Sequence, residues 1–285
     1  MNSILRKSLL ICLLLTLGLF VSAQRIIYSE YDRDDSRKMD FEIIGKIQKN
    51  YLVYKNTKSK IWITVYDNEM QQIDKVEQAF LPSTDRMINV DFFPYGDFAY
   101  MIYQYQRKNV VYCMAARIDG NGKNIGEPQE LDTTHIGFNS SNKIYNVVGS
   151  EDKSRICLFK INSRNRKLFL MSTMLFDDKL QLKKTTRLQI PMEERNENLG
   201  DFTLNNEGDL VFTRFYRGNN DNIMQASLMV KYAEADKLME QVLDITKIAL
   251  DELHVKVDNV NKRFFLTSFY SLERRRSEEH TSELQ

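Results

Sequence analysis

The chain has 285 residues, with 40 Lys and Arg against 39 Asp and Glu and a formal net charge of +1. That balance excludes the bulk cationic field of a general nucleic-acid or membrane-surface binder. Hydrophobic residues at 42% and charged residues at 28% fit a folded protein with one or two cores and exclude a disordered one.

The first segment in chain order reads as an export signal. Arg6 and Lys7 precede an apolar run from Leu9 to Val21, and Val21-Ser22-Ala23 sets small residues before Gln24. The run is shorter than the roughly 20 residues a spanning helix needs. Ile11 stands where a lipoprotein signal requires a small residue before Cys12. Residues 1–23 are therefore expected to be a cleavable signal, followed by an N-terminal extension over 24–39. The mature chain is then expected in the periplasm, on the outer-membrane surface or outside the cell, with no transmembrane span.

From Asp40 onward, short runs rich in Val, Ile, Phe, Tyr and Thr are broken by Asn, Asp and Gly. That alternation predicts strands and turns, and no long stretch has helical periodicity with caps. One strand type starts at 51, 98, 155, 210 and 263, at intervals of 47, 57, 55 and 53 residues. A second type follows at 61–67, 110–119, 168–177 and 224–236, each ending in an acid: Asp67, Asp119, Asp177 and Asp236. Asp at the head of a turn accepts from backbone N–H groups two residues on, which explains the recurrence. Third and fourth runs flank these pairs.

Four strands per unit, repeated head to tail, predict an all-β chain of four-stranded antiparallel blades, a β-propeller, rather than a pair of β-sandwiches. The blades are expected over 40–82, 87–133, 143–191 and 199–246, with a partial fifth over 250–275. A ring cannot close on half a blade without leaving an open edge, so the repeat predicts an incomplete ring whose intact form has about six to eight blades. The last ten residues, 276–285, resemble the in-frame translation of a sequencing adapter and are expected to be a non-native tail. The turns Asp119-Gly120-Asn121-Gly122-Lys123 and Asn205-Asn206-Glu207-Gly208-Asp209 resemble those of bacterial secreted propellers of the WD40-like and quinoprotein-like repeat group. The resemblance implies shape and leaves activity open.

No Gly-x-Ser-x-Gly elbow, phosphate loop or His-Glu-x-x-His motif is present, and nothing in the sequence calls for a cofactor or a metal. His135 and His254 lie in different units. Cys113 and Cys157 sit in strand-like runs and are expected to be buried small hydrophobes rather than a bridge. Tyr95, Tyr103, Tyr105 and Tyr112 crowd the second unit, and packing is the expected use of such rings.

Charge is sided. The loops between second and third strands hold Lys55, Lys58, Lys60, Arg107, Lys108, Lys160, Arg164, Arg166 and Arg217 against the single carboxylate of Asp221. The turns expected at the opposite rim are net acidic. Lys55, Lys58, Arg107, Lys108, Lys160, Arg164, Arg166 and Arg217 are therefore the candidate anion-binding residues. Their partner would be an anionic glycan, a lipid head group or an acidic protein surface. The acidic stretch at Glu193, Glu194 and Glu197 is expected to dilute that field. The expected function is non-catalytic binding or scaffolding in the bacterial cell envelope. The alternative is a carbohydrate-active propeller enzyme using carboxylates near the propeller axis.

Overall fold

The computed structural model describes Ile26, Tyr28 and residues 39–271, except 58–59, 83–85, 141, 166, 193–196, 219–220 and 247 and the side chains of 163–165. The expected export signal and the adapter-like tail lie outside these residues, as do Lys58, Arg166, Glu193, Glu194 and the side chain of Arg164. Every regular element among the described residues is a strand.

The strands form successive antiparallel meanders. The first sheet is β1 (Asp40–Ile47), β2 (Asn50–Thr57), β3 (Lys60–Tyr66) and β4 (Gln72–Glu77), in that spatial order. The second is β5 (Arg86–Pro94), β6 (Phe98–Arg107), β7 (Val110–Asp119) and β8 (Gln129–His135), and the third is β9 (Tyr145–Gly149), β10 (Arg155–Asn165), β11 (Leu168–Asp177) and β12 (Leu182–Pro191). The fourth has β13 (Glu197–Leu204), β14 (Leu210–Arg217), β15 (Ile223–Lys231) and β16 (Leu238–Val242), extended by the short β17 (Ala249–Leu250) and β20 (Tyr270–Ser271). A hairpin of β18 (His254–Asp258) and β19 (Arg263–Thr267) follows. The all-β class and the four-stranded antiparallel sheets are as the sequence repeat led one to expect.

Strand parity decides how the sheets meet, because successive side chains point to opposite faces. On β6, Ala99, Met101, Tyr103 and Tyr105 pack on Leu52, Tyr54, Ile63 and Val65 of the first sheet. Tyr100 and Ile102 point the other way, with Val111 and Cys113, onto Tyr145, Ile156 and Leu158 of the third sheet. The pattern repeats on β10, where Cys157 and Phe159 meet Leu210 and Phe212 of the fourth sheet. Val211 and Val230 then face Val255 of the β18–β19 hairpin. Middle strands are thus buried on both faces, which is why they read as continuous apolar runs rather than as alternations.

First strands of successive sheets neighbour one another, with β1 beside β5, β9 beside β13 and β13 beside β18. Glutamine side chains bridge neighbouring sheets where backbone pairing stops. Gln104 donates from Nε2 to the Tyr145 carbonyl at 2.7 Å and accepts from the Tyr145 N–H at 2.9 Å. Gln106 holds the β8–β9 connection in the same way, through the carbonyl of Phe138 and the N–H of Ser140. Gly120 is required where the first two sheets touch, since a Cβ there would lie 2.9 Å from the Ile47 carbonyl oxygen.

The recurrent acids cap turns as expected at three positions. Asp67 Oδ1 accepts from the N–H groups of Glu69 and Gln71, both at 2.9 Å. Asp119 holds Asn121 and Lys123 at the same distance, and Asp177 holds Lys179 and Gln181 at 3.0 and 2.8 Å. Asp236 departs from this. Strand β15 ends at Lys231, which takes the register position of Asp119 and Asp177 opposite the start of the preceding strand. The Lys231 ammonium donates to the carbonyls of Tyr232 and Ala233. Asp236 instead lies past the turn, 3.1 Å from Lys184 Nζ.

Candidate functional site

Two of the places where ionisable groups meet an open position bear on the expected site: the loops at the second-to-third-strand rim, and a polar cluster on the first strands of the first two sheets. In a meander the turns β2–β3, β6–β7, β10–β11 and β14–β15 leave the sheets at one end, together with the sheet-to-sheet connections. The expected basic rim is built from these.

Its members have different fates. Lys55 is buried, only 6% exposed. Lys160 Nζ lies 2.6 Å from Asp132 Oδ2 and also donates to Thr134 Oγ1 at 2.8 Å, above the ring of Tyr145 at 5.1 Å. Tyr145 itself is fully buried and donates to Asp132 at 2.9 Å. Burial raises the Tyr145 hydroxyl pKa far above the usual phenol value, with the Thr134 bond opposing the shift and Asp132 adding to it. Lys160 is therefore committed to joining the second and third sheets. Arg217 turns back on its own loop, bonding the carbonyl of Asp221 and lying 3.8 Å from its carboxylate.

Arg107 and Lys108 remain on the surface. The Arg107 guanidinium lies over Tyr105 at 5.7 Å, and Tyr105 stacks on Tyr112 at 5.1 Å. Lys108 occupies the left-handed region with φ 53° and is exposed. Among the described candidates, these two adjacent residues are brought together at the rim; Lys55 and Lys160 are drawn into the sheets.

The first-strand cluster was not singled out by sequence. Glu42 of β1 and Asp91 of β5 interact electrostatically, and Lys143 Nζ grips both Asp91 oxygens at 2.9 and 3.2 Å. Asn89 Nδ2 donates to Asp91 at 2.8 Å. Glu42 is pushed above the usual carboxylate range by burial and then by Asp91, with Lys143 pulling it back. A cleft of about 220 Å³ opens beside it, lined by Asp40, Glu42, Asn56 and Asn89. No motif marks these residues, because the acids come from different units and only the sheet stacking joins them. Among the described residues no group of three or more His, Cys, Asp or Glu could hold a metal ion, and no helix is long and apolar enough to cross a membrane.

No family model and no curated protein matches the chain. Solved structures with a similar chain path include an apocarotenoid oxygenase mutant from Synechocystis, at 9% identity and a TM-score of 0.38, over 77% of this chain and 58% of that one. Others are a thermostable family-43 glycoside hydrolase, at 11%, 0.36, 85% and 87%, and a putative exo-β-1,3-galactanase from Bifidobacterium bifidum, at 10%, 0.34, 68% and 67%. The chain thus spans less than two thirds of the oxygenase's length. At these TM-scores the likenesses assign neither residues nor reactions.

Proposed function

We propose that the protein is a β-propeller arc exported to the bacterial cell envelope, where it acts as a binding or scaffolding module for an anionic partner. The arc is read as four complete blades and part of a fifth. The observation that carries this is the stacking itself: consecutive four-stranded sheets share both faces of their middle strands while their first strands neighbour one another. In support, the equivalent loops of such a stack leave the sheets at one rim, and Arg107 and Lys108 are exposed there. These two are the described, exposed members of this surface, and Lys58, Arg164 and Arg166 are proposed to add to it. An acidic glycan, a lipid head group and an acidic protein share the chemistry this rim would recognise.

Heparin binding at about 20 and 150 mM salt tests the reading, since exposed charges lose most of their reach over that range. Binding that weakens with salt and with Arg107→Ser and Lys108→Ser is the expected result. Binding indifferent to both substitutions overturns the rim as the site. Vesicles with anionic lipid and an acidic protein serve as parallel arms.

One observation favours a second reading. Two carboxylates from neighbouring sheets, Glu42 and Asp91, come together beside a cleft, with burial raising Glu42 and Lys143 Nζ bonded to Asp91 at 2.9 Å, and glycoside hydrolysis asks for two carboxylates in different surroundings. Turnover of aryl glycosides that disappears with Glu42→Gln would establish it.

A further inference from the structure

The opposite rim holds a cleft that neither reading uses. It lies between the second and third sheets, has a volume of about 460 Å³, and is within the range of small-ligand sites. One wall is the β7–β8 connection, residues 120–128, which is longer than the β3–β4 and β11–β12 turns. That connection is tied down by the Ile125 N–H on the Arg117 carbonyl at 2.7 Å and by Asn124 Nδ2 on the Gly126 carbonyl at 2.7 Å.

An aromatic ladder fixes one cation in this cleft. The Arg117 guanidinium lies 4.2 Å from the centroid of Phe98, and Phe98 stacks on Tyr95 at 5.0 Å with their planes 5° apart. Tyr100 abuts both rings edge-on, and its hydroxyl donates across to the Asp178 carbonyl at 2.9 Å. A guanidinium resting over a ring gives up part of its rotamer freedom before any ligand arrives and keeps N–H donors for an acceptor. Among the described residues no acceptor hydrogen-bonds that guanidinium and no carboxylate lies within 4.0 Å of it. Two carboxylates, Glu127 and Asp178, line the same cleft over an apolar floor of Ala115 and Leu180.

We infer that this cleft binds a small carboxylate whose other end carries hydrogen-bond donors, either hydroxyls or an ammonium group. The carboxylate would pair in bidentate fashion with Arg117, and the donors would meet Glu127 and Asp178. Lys179 also lines the cleft, so two cations and two carboxylates face it, and a ligand carrying both an anionic end and hydrogen-bond donors matches more of this lining than a simple anion or a simple cation does. Sugar acids and free amino acids share this chemistry.

Ligand-observed NMR on the full chain tests it, using galacturonate and leucine as separate arms at about 10 mM, enough to detect millimolar binding. Methyl galacturonate ester and leucinamide, which lack the carboxylate, are the controls. Binding by either acid, absent for its control and weakened about tenfold or more by Arg117→Met, is expected; Arg117→Lys should recover part of it. The arm that binds identifies the source. Binding by neither acid, binding that survives Arg117→Met, or equal binding of the controls overturns the inference. Arg107→Ser and Lys108→Ser leave this cleft untouched, so failure here and failure of heparin binding are separate results.

Discussion

Lys160 crosses from the third sheet to the second and places its Nζ 2.6 Å from Asp132 Oδ2, with the fully buried Tyr145 donating to the same oxygen. The side chains are 15% and 27% exposed, so the pair lies between a solvated surface bridge and a dry one. Lys160→Met leaves Asp132 and the Tyr145 hydroxyl without their cation. The expected cost is about 2 kcal/mol, above the usual surface pair and below a fully buried one. Lys160→Met combined with Asp132→Leu should cost less than the two single changes summed. Urea midpoints of the three variants measure this, and strict additivity would show that the pair does not couple the sheets.

Asp177 is one source of pH-dependent stability. Burial opposes its ionisation, but the Lys183 hydrogen bond and the backbone N–H groups of Gln181 and Lys179 outweigh that and hold its carboxyl below the ordinary value. A folded pKa below the unfolded one gives stability that is complete above the unfolded value and is lost as pH falls through the folded one. Asp177→Asn keeps an oxygen acceptor while removing the charge. It should therefore be less stable than wild type at neutral pH, with the gap closing below about pH 4. Asp177→Ala loses the turn bonds as well, a cost of about 1–2 kcal/mol. Urea titrations at pH 3 to 7 separate the two effects; a gap unchanged across that range would place the value of Asp177 outside its charge.

Cys113 and Cys157 are free and buried. Burial raises both thiols, the Cys157 thiol to about 12. Neither supplies thiolate near neutral pH, and neither is open to a reagent. Thiol labelling at about pH 8 should be negligible in the native protein and should rise along the unfolding transition. Rapid native labelling of either residue would mean that the sheets separate locally.

The sheets were legible in the sequence because the middle strands are buried on both faces, and runs such as 98–105 admit few alternatives. Turn acids were equally legible where the carboxylate does its own work, as at Asp67, Asp119 and Asp177. Asp236 misled because an acid five residues beyond the end of β15 keeps the spacing while Lys231 takes the structural position. Site chemistry was less legible. Lys160 and Arg107 look alike in a list of basic loop residues. Only strand register reveals that Lys160 reaches back to β8 and that Arg107 lies over Tyr105. Glu42 and Asp91 belong to different units, and nothing local connects them. Tyr95, Tyr103, Tyr105 and Tyr112 pack as expected, and Tyr95 also stacks on Phe98, the ring beneath Arg117, which the sequence did not reveal.

Two phenylalanines offer the sharpest test of how the sheets are covered. Phe212 has no exposed surface and stacks on Phe202 at 4.8 Å, which in turn contacts Phe159 of the third sheet at 4.5 Å. Phe41 lies on the outer face of the first sheet and is 65% exposed, with Ile43 beside it at 68%. Removing the first ring opens a cavity between two sheets, so Phe212→Ala should cost about 3–5 kcal/mol. Phe41→Ser removes a ring already in water and should stay within about 0.5 kcal/mol of wild type. Chemical denaturation of the two variants at low protein concentration compares them directly. A large penalty for Phe41→Ser would mean that the outer face of the first sheet is covered in solution, and a penalty that grows with protein concentration would identify the cover as another copy of the chain.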